Sequence, residues 1–77
     1  MDNYFKEIIA RTLKTNADNL TDDSTVETIP EWDSLTHWTV IAHLENIYNV
    51  EFTMDEATEF KNLGDIYATL GKKLKSS

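Results

Sequence analysis

Apolar side chains recur along this chain at intervals of three and four, and no stretch alternates apolar and polar residues with β-branched enrichment, so the pattern predicts helices. Phe5, Ile8, Ile9 and Leu13 fall on one face of a first helix running from about Asn3 to Lys14, with Asp2 or Asn3 as its N-cap. This helix should stop near Asn16, a residue that tolerates the left-handed conformation of helix C-termini. A second helix starts at Asp33-Ser34 and runs to about Tyr48 or Asn49. A short third follows, where Thr53 and Glu56 have capping-box spacing and Ala57 and Phe60 face inward. The fourth opens at Asn62, places Asp65 at its third position and buries Leu63, Ile66, Tyr67, Leu70 and Leu74. Its Lys72, Lys73 and Lys75 suit the negative end of the helix dipole.

Positions 17–33 form a long acidic connection between the first two helices. In so small a chain such a connection is usually functional or disordered. Leu20, Val26, Ile29 and Trp32 recur through it, which predicts that it is pinned to the core. Lys75-Ser76-Ser77 reads as a frayed tail. The expected fold is all-α: a small four-helix bundle with a long acidic loop between helices one and two and a short third helix, one domain over residues 1–77.

The second helix does not have one apolar face. At about 100° per residue, Val40, Ile41, Leu44, Ile47 and Tyr48 share a broad arc that must face the core. Leu35, Trp38 and Ala42 fall on the other side, among Thr39, Glu45 and Asn46. Either another element covers this second group or it is a docking patch. Ser34 lies beside it, at the helix N-terminus.

Composition narrows the function. There is no cysteine, hence no disulfide framework, thiolate metal site or cysteine nucleophile. The N-terminus shows no basic and apolar signal pattern, and apolar runs reach two or three residues, so the chain reads as soluble and cytoplasmic. The net charge of −7 is uneven: residues 17–60 hold eleven acids and no Lys or Arg, while both flanks are net positive. Such a field repels nucleic acid and anionic membrane and steers basic partners, although acidity alone serves solubility equally well.

Asp33-Ser34-Leu35 resembles the Asp-Ser-Leu attachment motif of acyl carrier proteins. The tripeptide alone is common by chance. Its context adds the specificity: the upstream acidic loop with Leu20, Val26 and Ile29, then a helix ending in Leu44-Glu45-Asn46-Ile47-Tyr48, then Val50-Glu51-Phe52. The resemblance spans about residues 4–74. It implies that Ser34 carries a 4'-phosphopantetheine arm, transferred from coenzyme A by a magnesium-dependent phosphopantetheinyl transferase, with Asp33 supporting the motif. The arm's thiol then holds acyl groups as thioesters for acyl-loading and acyl-processing enzymes with basic docking surfaces. The carrier itself is expected to be a monomer and not an enzyme. Leu35, Trp38, Ala42, Glu31 and Glu45 are the expected docking residues. Unpaired amides at a helix N-terminus favour an anion, so a phosphodiester on Ser34 is electrostatically well placed.

Members serving fatty-acid synthesis usually carry several acids along this helix, where here stand Thr36, Thr39, Asn46 and Ile47. The resemblance therefore points to a dedicated carrier for one pathway. The Glu31-to-Leu35 run is similar to that of free-standing carriers in polyketide, nonribosomal peptide or surface-polysaccharide clusters, and lacks the Gly-Gly-His-Ser-Leu form of peptidyl carrier domains.

Other chemistries fare poorly. His37 and His43 lie on different faces of one helix and read as solvated polar residues. Asp18, Asp22, Asp23 and Ser24 lack EF-hand spacing and its central glycine. Trp32 and Tyr67 read as core or loop anchors. The rival function is an acidic helical interaction module that is never modified, in which Ser34 is a plain N-cap.

Overall fold

The computed structural model of the chain describes residues 1–76, with side chains through Lys75. Its helices are α1 (Asn3–Leu13), α2 (Ser34–Tyr48), α3 (Met54–Glu59) and α4 (Leu63–Ser76), with a 3₁₀ turn at Ala17–Asn19. Among the described residues there is no strand, and no helix is long and apolar enough to cross a membrane.

Asp2 caps α1, its Oδ1 accepting from the Phe5 amide at 2.8 Å. The helix ends earlier than Asn16. Lys14 takes the left-handed conformation (φ 59°) and its amide reaches the Ala10 and Arg11 carbonyls, while the Thr15 amide also bonds Ala10 O at 3.0 Å. The last carbonyls are thus satisfied two residues upstream of Asn16, which caps the 3₁₀ turn instead by accepting from the Asp18 amide at 3.0 Å.

The connection that follows is built from tight turns that alternate inward and outward residues. Leu20, Ile29 and Trp32 are buried as expected, but Val26 is 52% exposed. The Thr28 and Ile29 amides both return to Thr25 O, so this turn throws Ile29 inward and leaves Val26 on its outer side. Ser24 is buried and its Oγ accepts from the Thr21 amide at 2.9 Å, locking the preceding turn. The loop also caps the last helix: the Leu63 amide donates to Ser24 O at 3.0 Å and the Gly64 amide to Asp22 O at 2.9 Å. A Cβ on residue 64 would lie 3.1 Å from that same Asp22 oxygen, which is why glycine suits the position. The Asn62 side chain completes the cap by accepting from the Asp65 amide at 2.9 Å.

Helix α3 has the expected capping box, with Thr53 and Glu56 each accepting from the other's backbone amide. Lys73 of α4 reaches Glu56 at 2.8 Å and ties the short helix to the long one. Phe5, Ile9, Leu20, Leu44, Leu63 and Ile66 form the centre of one hydrophobic cluster. Of the helix residues assigned to the core, Ile47 and Leu74 are exposed. Ile47 is 47% exposed, on an open groove that it shares with Ile8, Arg11, Thr12 and His43, so α1 covers this side of α2 only in part. Leu74 is 42% exposed, being in the last turns of α4. Helix α4 takes in Lys75 and Ser76 of the expected tail, and Ser77 lies outside the described residues.

Candidate attachment site

The sharp start of α2 sets the site. Asp33, in extended conformation, is the N-cap, and Ser34 is the first helical residue. Asp33 Oδ1 accepts from the Thr36 amide at 2.9 Å, while the Asp33 amide donates to Thr36 Oγ1 at 2.8 Å. This is a capping box with threonine in the place usually held by Glu or Gln. The Thr36 hydroxyl also lies within reach of the Glu31 carbonyl at 3.1 Å, so the approach of the loop and the first turn of the helix are fixed together.

Capping is therefore done by Asp33 and Thr36, and Ser34 is not the N-cap. Its side chain is exposed, and among the described residues its hydroxyl takes part in no hydrogen bond. A serine hydroxyl spared from structural work at a helix N-terminus is what a modification site needs. The plain-cap alternative for Ser34 fails on this geometry.

The cap is ionic. The Thr36 amide, and after it the Thr36 hydroxyl, hold the Asp33 carboxyl below its ordinary value of 3.8. A carboxyl whose folded pKa lies below its unfolded one contributes stability at pH above the unfolded value and loses it as pH falls through the folded value. An NMR titration of the Asp33 side-chain carboxyl should accordingly show a midpoint below 3.8.

The sequence-predicted residues separate into groups. Ser34, Asp33 and Trp38 line one open cleft of about 430 Å³, together with Trp32, His37 and Phe60. Leu35 is 80% exposed on the outer face of α2, and Trp38 is 45% exposed at the rim of the cleft. Glu31 is exposed on the loop. Ala42 is also exposed, but it borders a separate groove with Glu45 near the other end of the helix. Glu45 is half-buried and its carboxylate accepts from the Phe52 amide at 2.8 Å, so it closes the turn after α2.

His37 departs most from expectation. It is half-buried, not solvated: Nδ1 accepts from Trp32 Nε1 at 3.2 Å, and Nε2 lies 2.7 Å from the Ala57 carbonyl of α3. The misreading arose because α3, which covers this edge of α2, comes from elsewhere in the chain. His43, by contrast, is exposed and bonds Thr12 Oγ1 at 2.9 Å. Trp32 is buried and Tyr67 half-buried, its hydroxyl donating to Asp2 at 3.1 Å, so both do anchor. Thr36 was missed as a capping partner, although its three-residue spacing from Asp33 is the box spacing and was the available signal.

Comparison with known proteins bears on the chain as a whole. The family model described as "Phosphopantetheine attachment site" matches residues 3–70. Among solved structures, the holo acyl carrier protein of Geobacter metallireducens is similar at 30% identity and a TM-score of 0.87, over 96% of this chain and 85% of that one. With the match to the family model running over nearly the whole helical bundle, this chain belongs to the acyl carrier protein family, non-catalytic domains with a covalently attached 4'-phosphopantetheine.

Proposed function

We propose that Ser34 is the attachment residue and that the chain is a dedicated carrier for one biosynthetic pathway rather than for general fatty-acid synthesis. The observation that carries the first part is the division of labour at the start of α2, where Asp33 and Thr36 cap the helix and leave the exposed Ser34 hydroxyl without a structural role. On modification Ser34 Oγ forms the new phosphoester bond as the bond to the adenosine-phosphate half of coenzyme A breaks, and the hydroxyl proton passes to a base of the transferase. When bound, the arm supplies a thiol that holds an acyl group as a thioester. The chain's own residues present the serine: the capping box fixes its backbone, and the helix N-terminus offers positive potential to the phosphodiester.

The second part is supported by the outer face of α2. Leu35, Trp38, Thr39 and Ala42 are exposed there, and its one acid, Glu45, is occupied by the Phe52 amide. A partner docking on this face meets an apolar, aromatic surface, while its basic groups meet acids of the loop such as Glu31. Association with such a partner should slow as ionic strength rises, since charges are screened beyond about 8 Å at physiological salt. Glu31→Gln should slow it more than Glu45→Gln, as stopped-flow mixing would measure. Rates insensitive to salt would mean that the acidic field serves only solubility.

Intact-mass measurement tests the attachment. Incubation with coenzyme A, magnesium and a promiscuous transferase should add one phosphopantetheine unit to the parent chain and nothing to Ser34→Ala. Labelling that survives the substitution would move the site elsewhere. As a check on pathway, the loaded protein should be a poor substrate for the enzymes of general fatty-acid elongation.

A further inference from the structure

The cleft beside Ser34 is walled by aromatic rings and floored by a polar contact. Trp32, Trp38 and Phe60 surround the imidazole of His37: its ring lies nearly parallel to Trp32 (22°) and meets Trp38 and Phe60 edge-on, at centroid distances of 5.9 and 6.5 Å. An indole N–H donates and never accepts, so the 3.2 Å contact from Trp32 makes His37 Nδ1 the acceptor. The remaining ring proton then resides on Nε2, which donates to the Ala57 carbonyl at 2.7 Å. Both ring nitrogens are committed, one to the end of the loop and one to α3. Ala57 is itself buried, and Val40 and Leu63 are buried members of the core cluster.

Taking Ser34 as the attachment residue, we propose that His37 sets cargo specificity by latching α3 to α2, so that the cleft accepts a compact or ring-shaped acyl group and keeps an extended chain outside the bundle. A chain passing from Ser34 between the two helices has to part His37 from Ala57 and leave an N–H and a carbonyl unpaired among apolar groups, which is unfavourable. A compact acyl group needs no such opening, because the exposed faces of the cleft are already aromatic and in place. His37 acts here through the position of α3, as a positioning residue that need not touch the cargo.

The test loads the full chain and its His37→Ala and His37→Gln variants from acetyl-, benzoyl- and octanoyl-coenzyme A with a promiscuous transferase. Intact mass confirms loading first; a parent chain that gains no mass refutes the attachment reading, separately from the signals that follow. Nitrogen–proton NMR then compares the acyl forms. In the parent, the benzoyl form should shift the Trp38 indole signal, and the octanoyl form should leave the Val40 and Leu63 amides where the acetyl form has them. In His37→Ala the octanoyl form, but not the acetyl form, should move those amides and raise the melting temperature. His37→Gln, which keeps an N–H for Ala57, should restore the parental pattern. A parent whose Val40 and Leu63 amides already move with the octanoyl arm overturns the proposal, a comparison that stands even if His37→Ala does not fold.

Discussion

Leu44→Ala is expected to leave the protein largely unfolded at room temperature. Leu44 is fully buried on the inner face of α2, within the cluster that includes Phe5, Ile9, Leu20 and Leu63. Removing a buried leucine side chain costs about 2–5 kcal/mol, the spread reflecting how far the surroundings close the cavity. Surroundings drawn from α1, α2, α4 and the loop have little freedom to do so. A chain of 77 residues builds a core that rarely supplies more than about 3–5 kcal/mol in total. The loss and the reserve are therefore comparable. Circular dichroism and a thermal melt should show a broad, early transition, and a sharp melt within a few degrees of the parent would mean that Leu44 is less confined than its burial indicates.

The two tryptophans that line the cleft beside Ser34 should respond in opposite ways. Trp32 is 3% exposed, and Trp32→Ala should destabilise the fold by about 3–5 kcal/mol, the range for emptying a large aromatic site. It also removes the hydrogen bond to His37 Nδ1 and so loosens the loop where it enters α2. Trp38 is 45% exposed, and its ring meets His37 only by an edge. Trp38→Ala should lose at most the about 0.5–1.5 kcal/mol of an aromatic pair, with a melt close to the parent. Its effect should appear in partner binding, where loss of a central aromatic often costs about 2 kcal/mol or more. Thermal melts of both variants, with transferase kinetics on Trp38→Ala, separate the roles. A Trp38→Ala melting point depressed as far as that of Trp32→Ala would make both residues structural and remove the docking role from Trp38.

What could be read from residue order alone was whatever local rules govern. Helical spacing placed all four helices and the inner face of α2 through Val40, Ile41 and Leu44, because the 3.6-residue period acts within one element. The α1 cap, narrowed to Asp2 or Asn3, and the Thr53–Glu56 box were legible for the same reason: donor and acceptor lie three residues apart. The helix start at Asp33-Ser34 was legible because its own residues create it. Tertiary structure decided the remainder. Periodicity states which residues share a face but not what covers it, so Ile47 proved exposed where α1 covers it only in part, and His37 proved to be hydrogen-bonded to α3. In the loop there is no period to follow: whether Val26 or Ile29 turned inward depended on which amides returned to Thr25. Lys14 rather than Asn16 took the left-handed position because carbonyls of the helix itself were satisfied first, and Asn16 was left to cap the next turn. The first two outcomes depend on what packs from elsewhere in the fold, and the last two on which neighbouring amides and carbonyls pair first, which apolar periodicity does not encode.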